Sequence, residues 1–126
     1  MRLLLDTHIF LWYIQNNRHL SKAIQGKISH ATEVYVSSAS IWEITIKSKL
    51  KKLDADIDQI LDAITGSGFL ELPITVGHAA AVSRLSDIHR DPFDRILIAQ
   101  AIYEPLTFLT GDALLKEYSE LYTRSG

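Results

Sequence analysis

The chain has 126 residues, a length typical of one domain, and we expect a single domain over residues 1–126. Its 47% hydrophobic and 22% charged residues, with only six Gly and three Pro, exclude collagen-like, low-complexity and disordered classes of protein. The lack of cysteine excludes a disulfide scaffold and a cysteine nucleophile, so any metal must be held by oxygen or nitrogen ligands. The formal net charge of −2 argues against tight duplex binding through overall charge.

The N-terminus does not predict secretion. Its apolar run of Leu3 to Leu5 is interrupted by Asp6 and His8. No stretch approaches the roughly 20 apolar residues needed to span a bilayer. We therefore expect a cytoplasmic protein that does not enter the membrane.

Predicted strands and helices alternate along the chain. Residues 2–5 form a short apolar strand, and the helical spacing of Ile9, Phe10 and Ile14 predicts a helix that ends at Asn16. Further helices are predicted over 21–30, 41–50, 56–65, 75–86, 91–103 and 113–118, and further strands over 33–37, 69–72, 106–109 and 120–126. Ser38 or Ser40 is expected to cap the helix over 41–50. Such alternation indicates an α/β fold with a mainly parallel sheet, whose ligands bind beyond the carboxyl ends of the strands.

Four carboxylates lie at those strand ends or at the start of a helix. Asp6 directly follows the first strand, Asp112 follows the fourth, Glu43 lies in the first turns of the helix after the second, and Asp94 lies in the first turn of the helix at 91–103. If the second, first and fourth strands are adjacent, the four acids can share one pocket. Each pair of carboxylates at 4 Å would then repel by roughly 4 kcal/mol. Either some acids are protonated, or a hard cation such as Mg²⁺ or Mn²⁺ lies among them.

Each acid also has a structural interpretation. Asp6 could N-cap the helix that follows it, and the segment 91–94 is typical of a helix start, with an Asp cap and Pro in the first turn. Glu43 lies four residues before Lys47 and could form a surface ion pair with it. Asp112 could be a turn residue. The occurrence of all four acids together favours the metal site.

Four segments, in order, carry a family resemblance: LLLDTHIFLW at 3–12, SSASIWEITIKSKLKKL at 37–53, HRDPFDRILIAQA at 89–101 and TFLTGD at 107–112. With them the chain resembles the PIN domain ribonucleases, and specifically the VapC-like toxins of type II toxin–antitoxin pairs. The resemblance implies a single PIN domain over 1–126. It also implies a three-layer α/β fold with a parallel sheet of four or five strands, in the order 3-2-1-4-5, flanked by helices.

The resemblance implies that Asp6, Glu43, Asp94 and Asp112 are the metal-binding and catalytic acids of a Mg²⁺- or Mn²⁺-dependent endoribonuclease. We expect Asp6 and Asp94 to bind the metal most directly, and Glu43 and Asp112 to complete the site. One peripheral acid is expected to position or deprotonate the attacking water. Thr110 lies where the family often has a hydroxyl residue beside the metal, and is expected to support a ligand rather than to be one.

The resemblance also implies a homodimer and a small VapB-like antitoxin. The first helix, with Phe10, Trp12, Tyr13 and Ile14, is more apolar than one buried face requires, so part of it is expected to meet that partner, whereas Phe10 and Ile14 are expected to pack in the core. Lys47, Arg90 and Arg95 are candidates for contact with RNA, although Lys47 also suits a solvated helix end and Arg95 an acidic partner. Four histidines lack metal-ligand spacing and are interpreted as incidental: His8, His30, His78 and His89.

Other classes fit less well. A haloacid-dehalogenase-like phosphatase needs a second Asp two positions after the first, where this chain has His8. A receiver domain needs a phosphoacceptor after the third strand, where this chain has Pro73 and Thr75. The remaining alternative is a PIN fold that binds RNA or protein without turnover. The presence of all four acids favours the nuclease.

Overall fold

The structure is a computed structural model that describes residues 1–85 and 91–111. Its strands are β1 (Arg2–Leu5), β2 (Glu33–Ser37), β3 (Leu70–Leu72) and β4 (Thr107–Leu109). Its helices are α1 (Thr7–Ile14), α2 (Lys22–His30), α3 (Ser38–Lys49), α4 (Ile57–Gly66), α5 (Val76–Ala81) and α6 (Pro92–Tyr103). The predicted helix over 113–118 and strand over 120–126 lie outside the described residues. Among the helices of the described ranges, none is long and apolar enough to cross a bilayer.

The four strands form one sheet in the order β3-β2-β1-β4, with all three pairings parallel. Leu3 in β1 lies beside Val34 of β2 and Thr107 of β4. The carboxyl ends of β2, β1 and β4 therefore meet at one edge of the sheet. This adjacency confirms the predicted strand order for the four described strands, and it places the residues that follow β1 and β4 side by side.

Helices cover both faces of the sheet. Side chains alternate along β1, so that Leu3 and Leu5 enter one hydrophobic cluster and Leu4 enters the other. The first cluster also takes buried residues from α1, α2, α3 and α4, and the second takes residues from α6 and the start of α3. Because α3 contributes to both clusters, through Ile44 and Ala39, it packs across the end of the sheet. The predicted three-layer α/β arrangement is confirmed.

The starts and ends of two helices differ from the prediction. The cap of α3 is Ser37, whose side chain accepts a hydrogen bond from the Ala39 N–H, so the prediction of Ser38 or Ser40 as the cap is wrong. The reason is that β2 passes into α3 without a loop, and the last strand residue is extended and serves as the cap. The helix predicted over 75–86 is also too long, because α5 ends at Ala81 and a 3₁₀ turn follows at Val82–Arg84.

Asp91 caps α6 as predicted. Its carboxylate accepts hydrogen bonds from the N–H groups of Phe93, at 2.9 Å, and Asp94, at 3.3 Å, and Pro92 occupies the first turn. These bonds satisfy N–H groups that have no partner within the helix. They also fix the first turn that carries Asp94, so the cap positions a candidate site residue.

We expect Asp91→Ala to lower the free energy of unfolding by about 1 kcal/mol, because the first turn of α6 loses its cap. Asp91→Ser keeps a side-chain oxygen at the same position and is expected to recover most of that loss. Urea unfolding followed by circular dichroism measures both variants. Equal stability of Asp91→Ala and the unmodified protein would contradict the capping role.

Candidate functional site

Asp6 directly follows β1 and is only 5% exposed. It stands at the N-cap position of α1, but its side chain makes no capping hydrogen bond, so the structural interpretation of Asp6 as a helix cap is wrong. Instead the Thr110 hydroxyl donates a hydrogen bond to Asp6 Oδ2 at 2.7 Å. The Asp6 N–H donates to the Leu109 carbonyl at 3.0 Å, which extends the β1–β4 pairing by one step. The sheet therefore holds this carboxylate inside the protein.

Burial raises the pKa of the Asp6 carboxyl above its usual range, because a charged carboxylate loses its hydration there. The hydrogen bond from Thr110 favours the charged form and opposes this shift without cancelling it. The nearby charge of Glu43 raises the pKa further, by a smaller amount. The ionised form of Asp6 is therefore disfavoured by the fold as it stands.

Glu43 lies on α3 and is also buried, at 4% exposure. Its Oε2 accepts a hydrogen bond from Lys47 Nζ at 2.8 Å, so the predicted pairing one turn apart exists, but the carboxylate is not on the surface. The same contact raises the pKa of Lys47. The second oxygen, Glu43 Oε1, is buried and has no hydrogen-bond partner among the residues described. Buried polar atoms are nearly always paired, so an atom of this kind marks a place where a ligand can bind.

One cavity of about 530 Å³ collects these acids. Asp6 and Glu43 line it together with Asp94 and Asp91 from the start of α6, and Lys47 lies at the same cavity. Within residues 1–85 and 91–111, no three Asp, Glu or His side chains form a group that could by itself hold a metal ion. The predicted fourth acid, Asp112, lies outside the described residues. The donors near the cavity are carboxylate oxygens, which suit a hard cation in their chemistry.

A buried pair of hydroxyls joins α1, which begins directly after Asp6, to α3, which carries Glu43. The Thr7 hydroxyl donates to Ser40 Oγ at 2.9 Å and links the start of α1 to the first turns of α3. Thr7 stands next to Asp6, and Ser40 lies one helical turn before Glu43. The sequence prediction missed this contact, although a hydroxyl residue beside each acid was a signal that could have suggested it.

Of the three residues predicted to contact RNA, the structure places one at the cavity. Lys47 lines the cavity. The side chain of Arg95 donates from Nη2 to the Val82 carbonyl at 3.3 Å, and Arg95 is not among the cavity residues. Arg90, like His89, lies outside the described residues. Contact of Arg90 and Arg95 with RNA stays a prediction.

Two rings at the cavity were not predicted as site residues. His19 stacks on Trp12, with 5.5 Å between ring centroids and an angle of 25° between planes, and both residues line the cavity. His8, which was interpreted as incidental, also lines the cavity, 6.1 Å from the Trp12 ring. His19 lies outside every predicted element, so periodicity gave no signal for it. The stacking can be seen only once the turn after α1 is folded.

A family model described as PIN domain matches residues 3–121 of the chain. The chain belongs to the PIN domain family. The four described strands of this PIN domain have the order that the resemblance implied, and the family match spans all four sequence segments that suggested it.

Two known proteins are similar to this PIN domain. It is 29% identical over 122 residues to Ribonuclease VapC22 of Mycobacterium tuberculosis (strain ATCC 25618 / H37Rv), an alignment that covers 91% of this chain and 90% of the relative. Its fold matches the crystal structure of VapBC2 from Rickettsia felis bound to a DNA fragment from their promoter, with a TM-score of 0.71 and 15% identity. That match covers 94% of this chain and 93% of the other. The expectation of a VapC-like PIN domain is confirmed.

Asp6→Asn is expected to raise the free energy of unfolding by about 1 kcal/mol at neutral pH without metal, because it removes a buried charge. An acid whose pKa is raised by the fold holds its proton more tightly in the folded state. Its contribution to the free energy of unfolding is therefore complete below the ordinary pKa of an aspartate. That contribution is lost as the pH rises from the ordinary pKa through the raised pKa of the folded state. The gain from Asp6→Asn should vanish at acid pH and be complete above the raised pKa.

Thermal unfolding in EDTA at several pH values measures this gain. Asp62→Asn removes an exposed acid of α4 and serves as the matched control, with no pH-dependent gain expected. If Asp6→Asn and Asp62→Asn behave alike, burial of the Asp6 charge is not costly.

Proposed function

We propose that this PIN domain is a Mg²⁺- or Mn²⁺-dependent endoribonuclease, the toxin component of a toxin–antitoxin pair. The likeness to Ribonuclease VapC22 over nine-tenths of both chains supports hydrolysis of RNA. The observation that carries the metal dependence is the buried Glu43 Oε1, which has no partner in the described part of the chain and lies at a cavity shared with Asp6 and Asp94.

The residues at the cavity fit a divalent cation. Asp6 and Glu43 are two buried carboxylates, and among residues 1–85 and 91–111 Lys47 is the one Lys that forms an ion pair with either of them. A cation would relieve both the repulsion and the lost hydration. We assign Asp6, Asp94 and Glu43 as the residues that would hold it, with Asp112 as the fourth acid of the set. A divalent cation bound there supplies charge neutralisation for a phosphate and activates water for attack.

The other side chains prepare these ligands. Thr110 donates to Asp6 Oδ2 and so fixes the orientation of that carboxylate. Lys47 holds Glu43 Oε2 in the same way, and the Thr7–Ser40 contact keeps α1 and α3 at a fixed spacing. We assign Asp91 to the cap of α6 and not to the cation, because its carboxylate bonds the first turn that carries Asp94. A carboxylate at the edge of the set would receive the proton of the attacking water.

We also propose the partners that the resemblance implies. A solved structure with the same fold is that of VapBC2 bound to a DNA fragment from their promoter, which supports a VapB-like antitoxin as the partner of this chain. A homodimer, a cytoplasmic location and a single PIN domain over 1–126 belong to the same proposal.

We expect Asp94→Asn to abolish RNA cleavage and to leave the fold intact, because Asp94 is half-buried at the start of α6 and the Asp91 cap remains. Labelled single-stranded and structured RNA, incubated with the purified, partner-free protein and Mn²⁺ or EDTA, measures the activity. Wild-type activity of Asp94→Asn would remove Asp94 from the mechanism. Binding of RNA without any Mn²⁺-dependent cleavage by the unmodified protein would favour the non-cleaving alternative.

Millimolar Mg²⁺ or Mn²⁺ is expected to raise the melting temperature by about 5 °C or more once the ion exceeds its Kd about 100-fold. Glu43→Gln should reduce that rise, because a neutral amide attracts a divalent cation less strongly than a carboxylate does. Glu71→Gln changes an exposed acid away from the cavity and is the control. No rise with either ion would count against the metal site.

A further inference from the structure

We propose that Trp12 and His19 form a stacking platform for an unpaired nucleobase of the RNA substrate, with Asn17 as the residue that positions His19. This inference rests on the proposed ribonuclease function and deepens it. It names chain residues that recognise the substrate beside the acidic cavity. The platform is defined by the two stacked rings, Trp12 and His19.

The two rings are held in a fixed relation. His19 stacks on Trp12 at 5.5 Å between centroids, with planes 25° apart. Asn17 Oδ1 accepts a hydrogen bond from the His19 backbone N–H at 2.9 Å and lies 2.7 Å from His19 Nδ1. An amide oxygen only accepts, so Nδ1 is the ring nitrogen that donates. Asn17 therefore sets both the orientation of the imidazole and the nitrogen that carries its proton.

The turn after α1 is built to bring His19 back over Trp12. Asn16 adopts a left-handed conformation with φ of 52°, and the Asn17 N–H donates to the Trp12 carbonyl at 2.9 Å. The Leu20 N–H then donates to the Asn17 carbonyl at 3.1 Å, and the Leu20 side chain is buried. A platform fixed before binding loses little conformational entropy when a ligand stacks on it.

Both residues of the platform lie at the cavity. Trp12 is half-buried and His19 is exposed, and both line the cavity that also contains Asp6, Glu43 and Asp94. Among the described residues, Trp12 is the only aromatic side chain in ring contact with His19. The second face of the imidazole can therefore take a planar, uncharged group.

The charges of the cavity favour a nucleobase as that group. In the described part of the lining, Lys47 is the one Lys or Arg side chain, and it is already bonded to Glu43. A phosphodiester backbone gains little from such a lining before a cation is present. Stacking of a base on an aromatic ring does not depend on charge and gives substantial affinity for each base. A base in a duplex is already paired and stacked, so the platform selects unpaired nucleotides.

Steady-state cleavage of a single-stranded RNA with Mn²⁺ tests the platform. His19→Ala should raise KM about fivefold to a hundredfold, the range expected for loss of one stacked base, and leave kcat within about twofold. His19→Phe keeps a ring and should restore KM, and Asn17→Ala should raise KM less than His19→Ala does. His30→Ala removes an exposed histidine of α2 outside the cavity and is the matched control. An unchanged KM in His19→Ala, or equal loss in His19→Phe, would overturn the proposal.

A binding experiment without turnover separates this inference from the proposed function. A hexaribonucleotide with a central 2-aminopurine, whose fluorescence reports stacking, is titrated with Asp94→Asn protein in EDTA. Binding should quench the probe, the quenching should be lost with the added His19→Ala change and return with His19→Phe, and the same strand in a duplex should bind more weakly. Quenching that persists in His19→Ala would overturn the platform. Failure of the unmodified protein to cleave RNA overturns the proposed function and leaves this measurement intact.

Discussion

Burial of the Asp6 carboxylate at the end of the central strand is the constraint to which the rest of the site responds. A carboxylate without hydration is costly, and burial raises the pKa of Asp6 for that reason. Thr110 supplies one hydrogen bond, yet Glu43 adds a second buried carboxylate at the same cavity. A sequence selected for stability alone would place apolar residues at both positions. The two hydrophobic clusters on either face of the sheet offset the unfavourable free energy of burying these carboxylates.

Much of this arrangement could be predicted from local patterns. The short apolar strand before Asp6, and the helix start at Asp91, are encoded within a few residues, and both are as predicted. Parallel strands bring their carboxyl ends together, so an acid that follows a strand is a candidate site residue even when the order of the strands is unknown. The order of the strands was not in those patterns. It came from the family resemblance, because adjacency depends on contacts between residues far apart in the chain.

Contacts between elements could not be predicted. His78 is fully buried, with Nδ1 accepting from the Thr75 N–H at 3.0 Å and Nε2 in contact with Glu104 on the neighbouring helix end. The incidental interpretation missed that it helps cap α5. Arg95 has a contact that the sequence did not suggest, because its guanidinium donates to the Val82 carbonyl, while its contact with RNA stays a prediction. The Glu104 partner of His78 and the Val82 partner of Arg95 are set by tertiary packing, which spacing in the sequence does not record, whereas the contact of His78 with Thr75 is local.

Lys47 shows why the cavity favours a cation over a free phosphate. Its ammonium bonds one oxygen of Glu43, and the pKa of Lys47 rises because that carboxylate stabilises its charge. One ammonium balances one carboxylate, and Asp6 and Asp94 add negative charge at the same place. We therefore expect an anionic backbone to meet net repulsion until the proposed divalent ion is bound. A substrate that first makes contact through an uncharged base, at the proposed platform of Trp12 and His19, would avoid that repulsion. Under the two proposals, the aromatic edge and the acidic centre of the cavity are complementary parts of one binding surface.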